Sequence, residues 1–280
     1  MENTTRPQPV KVFIGSGEAS LLERKTLIYS LRKHSRSPLD IYVFNGTHDS
    51  IERNDEPPIP AGMSLRVKYK NFTEFSNYRF MIPQICDYTG RAIFLDSDTI
   101  CLADIAGLFN APMGEDCAVL AKCEAYAGTG GWGLSVALFD CSRCRFDLDA
   151  IFDEIDQGLF SYTDMHQFSP AFLKHHPLKI EAIDPNWNVF DQYDAQSKLI
   201  HFTNLLRQPW KFPGHPSGDL WFTYFNEARE AGAVTKQDIE TAKMRGYVRQ
   251  DILLGNNPPR RKAMRLPSIR GFVKKLISRA

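Results

Sequence analysis

The chain has 280 residues, of which 43% are hydrophobic and 24% charged, and its formal net charge at pH 7 is +1. This length suits one large α/β domain or two small ones, and the composition is that of a soluble globular protein. The near-neutral charge argues against a polyanion-binding protein. No apolar run approaches the roughly 20 residues of a transmembrane helix, and the polar N-terminus predicts no secretory signal.

The first predicted unit is a strand, a helix and a second strand. Residues 10–15 are an apolar run that ends in a glycine-serine-glycine turn, residues 18–34 carry apolar side chains at helical spacing, and residues 40–44 are apolar again. Such a unit implies a parallel sheet. The turn is similar to a nucleotide-binding loop, although tight turns of this kind use glycine equally often for steric reasons.

Three further segments precede the central strand. Residues 50–62, rich in proline and acidic residues, predict a loop, and residues 65–69 predict a third strand. Residues 76–88 predict a helix that is interrupted or kinked at Pro83. This helix holds Arg79, which we expect to reach back over the end of the next strand, with a surface salt bridge as the alternative.

The central stretch, residues 91–98, runs from four apolar residues directly into two carboxylates one residue apart. The apolar run predicts a strand buried on both faces, and ligands of open α/β sheets bind beyond the carboxyl ends of strands. Asp96 and Asp98 repel each other unless a cation lies between them, and hard cations share carboxylates with substrate phosphates. The pattern therefore indicates a metal–diphosphate site, although Asp-Ser-Asp also suits an ordinary turn or a helix N-cap.

The second half of the chain continues the α/β pattern. The predicted segments are a strand at 117–122, a glycine-rich linker or mobile acceptor loop at 127–133, a strand at 134–140, a helix at 146–157, a sugar-stacking turn at 184–190, a strand at 198–202, and helices at 218–232 and 235–246. Six scattered cysteines are typical of reduced thiols in the cytoplasm, and the isolated pair Cys141 and Cys144 lacks the second pair that a structural zinc site needs.

Three separated segments resemble one family, the family 8 retaining glycosyltransferases of the glycogenin and lipopolysaccharide galactosyltransferase group. They are residues 76–98, with an arginine at the family's distance from the two aspartates, residues 133–140, and residues 201–210, a histidine followed by proline-tryptophan. The resemblance spans roughly residues 10–250 and is nearest to uncharacterised bacterial members. It implies one GT-A domain, a Rossmann-like α/β fold with a mostly parallel twisted sheet flanked by helices and with helices at its C-terminus, after a flexible segment 1–9.

The resemblance also implies an activity, the retaining transfer of a hexosyl group from a nucleotide-diphosphate sugar, a UDP-sugar first of all, to a glycan or lipid-linked acceptor. Asp96, Asp98 and His201 would hold Mn²⁺ or Mg²⁺, and Arg79 and Asp164 would be catalytic. The expected nucleotide-sugar contacts are Ile14, Gly15, Ser16, Arg79, Ser97, Gln208, Trp210 and Lys211. Two positions depart from the family pattern, because Gly133 replaces an asparagine and Gln208 replaces the lysine before proline-tryptophan.

Two other functions remain open. Residues 94–99 also resemble the nucleophile strand of HAD-type phosphatases, which place that motif on their first strand and need a later acidic pair. The departures at Gly133 and Gln208 also fit a catalytically inactive protein that binds a sugar nucleotide or a glycan. A turnover assay with sugar nucleotides distinguishes that protein from an enzyme.

The C-terminal tail, residues 259–280, has a distinct composition. It contains eight lysine or arginine residues and no acidic residue, and its apolar residues 269, 272, 273, 276 and 277 share one helical face. This combination predicts an amphipathic helix on an anionic membrane surface, and thus a cytoplasmic protein held peripherally at the inner face. A disordered tail or a nucleic-acid contact is the alternative, and we expect no nucleic-acid partner.

Overall fold

A computed structural model of the chain describes residues 8–63, 75–124 and 130–259. The strands are β1 (Val10–Ser16), β2 (Leu39–Asn45), β3 (Ser50–Arg53), β4 (Ile59–Pro60), β5 (Arg91–Asp96), β6 (Thr99–Cys101), β7 (Cys117–Glu124), β8 (Gly131–Asp140), β9 (Lys179–Ala182), β10 (Val189–Phe190) and β11 (Leu199–His201). The helices are α1 (Leu21–His34), α2 (Ile82–Ile85), α3 (Ala106–Phe109), α4 (Leu148–Asp156), α5 (Tyr162–His166), α6 (Pro170–His175), α7 (Gly218–Glu230) and α8 (Lys236–Met244). The predicted strand at 65–69 and the tail from residue 260 lie outside the described residues.

An eight-stranded sheet forms the centre of the fold, in the order β4-β3-β2-β1-β5-β8-β7-β9. β1 pairs in parallel with both β2 and β5, and β7 pairs in parallel with β9. β3 and β8 pair antiparallel with their neighbours, so the other six strands run in one direction. The predicted α/β class with a mostly parallel central sheet is confirmed.

The burial of β5 explains why its sequence is continuously apolar. Ala92 and Phe94 pack into one buried cluster, whereas Ile93 and Leu95 pack into another, and all four are fully buried. Successive strand side chains point to opposite faces, so two covered faces require an apolar residue at every position. Each buried phenylalanine or leucine contributes about 1.5–3 kcal/mol.

A second sheet of three strands, in the order β10-β11-β6, lies beyond the end of β5. The predicted strand at 198–202 belongs to this sheet, where β11 pairs antiparallel with β6 and parallel with β10. A third buried cluster joins this sheet to α7 and α8, which both pack on α1. The longest helix of the described part is α1, with 14 residues, and none there has the length and apolarity to cross a membrane.

Two local predictions were wrong. Residues 50–62 contain β3 and β4, which pair antiparallel instead of forming only a loop, and Asn54 and Asp55 adopt positive φ angles of 49° and 67° in the turn between them. The segment 76–88 is not one interrupted helix, because a 3-10 helix at Tyr78–Met81 passes directly into α2. Pro83 lies in the first turn of α2, where its missing N–H costs no hydrogen bond.

Candidate functional site

The turn between β5 and β6 places two carboxylates at the edge of the central sheet. Asp96 ends β5 opposite Gly15 of β1, and the Ser97 N–H donates to the Gly15 carbonyl at 3.1 Å. The Thr99 hydroxyl donates to the Asp96 carbonyl at 2.9 Å, which closes the turn. Because the backbone is fixed on both sides, Asp96 and Asp98 are held at the carboxyl end of the central strand, as the sequence predicted.

Strand pairing brings a histidine from much later in the chain to the same place. β11 runs antiparallel to β6 with His201 opposite Thr99, and the Phe202 N–H donates to the Asp98 carbonyl at 2.9 Å. The His201 Nε2 atom lies 3.0 Å from Asp98 Oδ1. Ligand atoms of Asp96, Asp98 and His201 lie within 4.8 Å of one another, as the one such group of three in the part of the chain that the structure describes.

The charges of this cluster suit a divalent cation. Burial alone lowers the pKa of His201, but the adjacent Asp98 and Asp96 outweigh that effect and hold the pKa above its usual value. The two carboxylates therefore favour the protonated form of His201, whose positive charge partly compensates theirs. Two carboxylates and an imidazole also form a suitable ligand set for Mn²⁺ or Mg²⁺, which would take the place of that proton.

Arg79 reaches the cluster from the segment before α2. It is only 8% exposed, and its Nη2 atom lies 3.5 Å from Asp96 Oδ1. Its Nε atom donates to the Ser76 carbonyl at 3.0 Å, and its guanidinium lies 4.5 Å from the Phe94 ring centroid. Burial lowers the pKa of Arg79 while Asp96 opposes that shift, and a guanidinium stays charged at neutral pH. The expected position of Arg79 over the end of β5 is thus the observed one.

A polar network beside Arg79 was not predicted from the sequence. The Asn77 Oδ1 atom accepts a hydrogen bond from Tyr162 Oη at 2.9 Å and lies 2.8 Å from His166 Nε2. Burial, followed by the positive charge of Arg79, holds the pKa of His166 well below its usual value, so the ring is neutral. The only signal for this network in the sequence was the polar residue Asn77, two positions before Arg79, because its partners come from α5.

The residues after His201 fall into buried and exposed groups. Gln208 is 3% exposed, and its Nε2 atom donates to Asp98 Oδ2 at 3.1 Å and to the Phe202 carbonyl at 3.2 Å. Trp210 is fully buried against Trp221, with ring centroids 5.2 Å apart, whereas Lys211 is exposed. Gln208 therefore orients a carboxylate of the cluster, and Lys211 is an exposed cation of this segment, whereas Arg207 is half-buried.

The predicted nucleoside contacts lie at the end of β1 and in the turn after β5, and their side chains are buried. Ile14 and Ser16 are fully buried, and Ser97 is 3% exposed. A Cβ atom on Gly15 would lie 2.3 Å from Cδ2 of Phe75, so glycine is needed there for packing. The nucleotide contacts of these residues remain predictions, and a bound nucleotide would meet the backbone of this turn more readily than its side chains.

Glu23 of α1 is a further buried acid that the sequence reasoning missed. It is 3% exposed, and its Oε2 atom has no hydrogen-bond partner among the described residues. Burial raises its pKa to about 8, with Lys211 opposing that shift and Asp98 reinforcing it. Its signal in the sequence is a single glutamate on the apolar face of a helix. At neutral pH Glu23 is mostly protonated, so it adds little negative charge beside Asp98.

Glu23→Gln is expected to stabilise the protein at neutral and alkaline pH. The folded-state pKa of about 8 lies above the usual 4.5, so the wild type loses stability relative to the variant as the pH rises through this window. The pH-dependent part of the difference should be absent below pH 4.5, grow as the pH rises, and level off above pH 8 at roughly 5 kcal/mol at most, in urea unfolding at several pH values. A difference that does not change with pH would contradict the prediction.

Asp164 lies at the start of α5, where it completes a helix cap. Its Oδ2 atom accepts hydrogen bonds from the N–H of Ser161 at 2.8 Å and from the hydroxyl of Ser161, and its Oδ1 atom accepts from Ser169 Oγ at 2.6 Å. Despite partial burial, these hydrogen bonds hold the pKa of Asp164 below its usual value. Its described contacts are those of a capping residue, and its predicted catalytic role remains a prediction.

Comparison of Asp164→Asn with Ser161→Ala separates the two roles. Both changes break the same cap, so each should lower the free energy of unfolding by about 1 kcal/mol in urea titrations. The predicted catalytic role requires a large loss of turnover in Asp164→Asn alone. Equal, small losses of turnover in the two variants would leave Asp164 as a capping residue only.

Comparisons with known proteins agree with this geometry. Residues 21–132, which include Arg79, Asp96 and Asp98, match glycosyl transferase family 8. No curated protein matches the chain. Because His201 lies outside the matched segment, its place in the cluster depends on the fold.

Three solved glycosyltransferase structures have a similar fold. They include the bifunctional glycosyltransferase WbbM (TM-score 0.55, 14% identity, 86% of this chain and 52% of that chain) and GlyE of Streptococcus pneumoniae TIGR4 (TM-score 0.52, 15% identity, 77% and 60%). A third is the galactosyltransferase LgtC in complex with donor and acceptor sugar analogues (TM-score 0.53, 13% identity, 88% and 100%). The chain thus spans about half of WbbM. The chain is thus similar to glycosyl transferase family 8 over residues 21–132, and it shares the GT-A fold of these glycosyltransferases.

Proposed function

We propose that the protein is a metal-dependent, retaining glycosyltransferase. It transfers a hexosyl group from a nucleotide-diphosphate sugar, with a UDP-sugar as the first candidate, to a glycan or lipid-linked acceptor. The observation that carries the proposal is the convergence of Asp96, Asp98 and His201, whose ligand atoms lie within 4.8 Å of one another. The cluster lies at the carboxyl end of a central strand, which is where open α/β sheets bind their ligands.

The residues of the cluster, together with Arg79 and Gln208, have distinct roles in the proposed reaction. The bond between the anomeric carbon and a diphosphate oxygen breaks, so negative charge grows on the leaving group. Mn²⁺ or Mg²⁺ held by Asp96, Asp98 and His201 would supply compensating positive charge when bound. Arg79 is fixed on the Asp96 side of the cluster and can donate hydrogen bonds to the donor. Gln208 holds Asp98 in place through its amide hydrogen bond.

Gln208 occupies the position where the family pattern has a lysine, so a positive charge is missing there. Gln208 itself is buried and bonded to Asp98, whereas Lys211 is exposed three residues later. We therefore assign the diphosphate contact of the missing lysine to Lys211. This assignment keeps a cation near the leaving group without a charge at position 208.

The phosphatase alternative is less well supported. In that family the acidic motif ends the first strand, whereas here Asp96 ends β5, and the family match covers the segment that contains it. The inactive sugar-nucleotide-binding protein keeps the same site and differs only in turnover. The decisive experiments must therefore measure binding and turnover separately.

Thermal stabilisation across a panel of sugar nucleotides, each with Mn²⁺ and with EDTA, tests the proposal. We expect at least one sugar nucleotide to raise the melting temperature in Mn²⁺ and to lose that effect in EDTA, because bound ligand stabilises the folded state. The same sugar nucleotide should then be hydrolysed or transferred. Binding without turnover would favour the inactive protein, and no shift with any member of the panel would overturn the proposal.

We also propose that the tail from residue 259 attaches the enzyme to an anionic membrane surface. Its eight basic residues each contribute on the order of 1 kcal/mol near such a surface, an effect that weakens with salt. The full chain should sediment with anionic vesicles at low salt, whereas a chain ending at Asn257 should stay in the supernatant and keep its nucleotide-sugar hydrolysis. Equal vesicle binding by the two proteins would refute this attachment.

A further inference from the structure

Two adjacent leucines, four and five residues after His201, are exposed to solvent. Leu205 is 67% exposed and Leu206 is 75% exposed, and Phe212 further along the same segment is 40% exposed. Single exposed apolar residues are normal on protein surfaces, but a pair beside a functional site is unusual. We refer to residues 204–212 as the site loop.

Hydrogen bonds hold the leucine pair in this exposed position. Asp191 accepts from the Thr203 hydroxyl at 2.7 Å and from the Asn204 N–H at 3.2 Å, which fixes the start of the site loop. The Asn204 Oδ1 atom then accepts from the Leu206 N–H at 3.2 Å. The turn that carries the leucines is thus anchored at its base, and their exposure follows from the fold.

The charged side chains of the site loop itself are both cationic, and the nearest described carboxylate, that of Asp191, is hydrogen-bonded to Thr203 and Asn204 at the base of the loop. Arg207 and Lys211 lie in the site loop, and residues 202–218 include no acidic residue. Arg207 is bound only by one neutral group in its described contacts, the Gly214 carbonyl at 3.2 Å. Apolar side chains flanked by cations are the combination that binds the interface of an anionic bilayer.

The basic tail leaves the domain next to the site loop. The Asn257 Oδ1 atom accepts from the N–H groups of Gly214 and His215 at 2.9 and 3.2 Å, and its Nδ2 atom donates to the His215 carbonyl at 2.8 Å. The described chain ends two residues later at Pro259. The tail and the site loop therefore start from the same side of the molecule.

We infer that the site loop is a second membrane-contacting surface, with Leu205 and Leu206 entering the interface of an anionic lipid bilayer. This inference deepens the proposed function and rests on its membrane attachment. Because His201 and Gln208 flank the leucines, contact through the loop would place the mouth of the sugar-transfer site at the bilayer surface. An acceptor carried on a lipid headgroup could then be reached without leaving the membrane.

The test compares the full chain with two neutral double variants in vesicle sedimentation. Leu205→Ser with Leu206→Ser removes the apolar tip without altering charge, and Ile59→Ser with Met244→Ser is the matched control at residues that are 62% and 77% exposed elsewhere. The probes are mixed phosphatidylcholine–phosphatidylglycerol vesicles and phosphatidylcholine vesicles. We expect the loop variant to bind mixed vesicles about tenfold or more weakly, since two leucines no longer leave water, and the control to bind like wild type.

Salt and turnover complete the test. The difference between wild type and loop variant should persist at high salt, because screening weakens the attraction of the tail and leaves the apolar contribution in place. Nucleotide-sugar hydrolysis should be unchanged in the loop variant. Equal or tighter binding by the loop variant, or an equal loss in the control, would overturn the inference. Absence of hydrolysis in all proteins would refute the proposed enzyme while leaving the vesicle result interpretable.

Discussion

Asp98→Asn is expected to nearly abolish nucleotide-sugar turnover. Asp98 has its Oδ1 atom 3.0 Å from His201 and its Oδ2 atom 3.1 Å from Gln208, so it lies between the two segments that form the site. An amide of the same shape keeps the packing but removes the negative charge that a divalent cation needs. The cation would bind more weakly and the leaving diphosphate would be less well compensated, so turnover should fall on the order of 10²-fold or more.

Initial rates over a range of Mn²⁺ concentrations measure this effect. Asp116→Asn is a matched control, because Asp116 has an exposed side chain and pairs with Arg143 away from the cluster. The control should retain wild-type rates and metal dependence. Full activity of Asp98→Asn in the presence of EDTA would refute the metal site altogether.

His201→Gln is expected to reduce Mn²⁺ affinity more than it reduces the maximal rate. Residues that merely support a metal ligand already contribute about 10–100-fold to affinity, so loss of a direct ligand should cost about tenfold or more. Asp96 and Asp98 remain in the variant and still attract the cation. Raising the Mn²⁺ concentration should therefore restore part of the turnover, which distinguishes His201→Gln from Asp98→Asn.

Titration of Mn²⁺ by calorimetry or by enhancement of activity provides the measurement. His175→Gln replaces an exposed histidine on α6 and serves as the control for the substitution itself. The outcome that contradicts a ligand role is an unchanged Mn²⁺ affinity in His201→Gln. In that case the role of His201 would be limited to its contact with Asp98.

The similarity to LgtC, WbbM and GlyE supports the fold of the chain but does not identify its acceptor. Identities of 13–15% leave the side chains around the sugar free to differ. In this chain the site is bordered by an exposed leucine pair and by the start of a basic tail. These features belong to residues 204–280, beyond the segment that matches the family, so they are where acceptor choice can be sought first.

Local sequence determined the parts of this protein that depend on neighbouring residues. The apolar run of β5 predicted a doubly covered strand, and the two aspartates after it predicted a polar turn, because burial and turn formation act over a few residues. Helical periodicity likewise predicted α4, α7 and α8 within a few residues of their ends. The structure has a 3-10 helix followed by α2 where one helix was predicted at 76–88. Local propensity therefore constrains short elements only weakly.

Only the tertiary structure decided how the site is assembled. The contact between Asp98 and His201 depends on the antiparallel register of β6 and β11, and no periodicity in either segment encodes that pairing. The same holds for Gln208, which replaces a family lysine in the sequence yet proves to be a buried partner of Asp98. Glu23 is similar, because its raised pKa arises from burial under elements distant in the chain. Residue types indicated the chemistry of the site. Which residues meet there was decided by the fold, because strand register and burial depend on the packing of the whole domain.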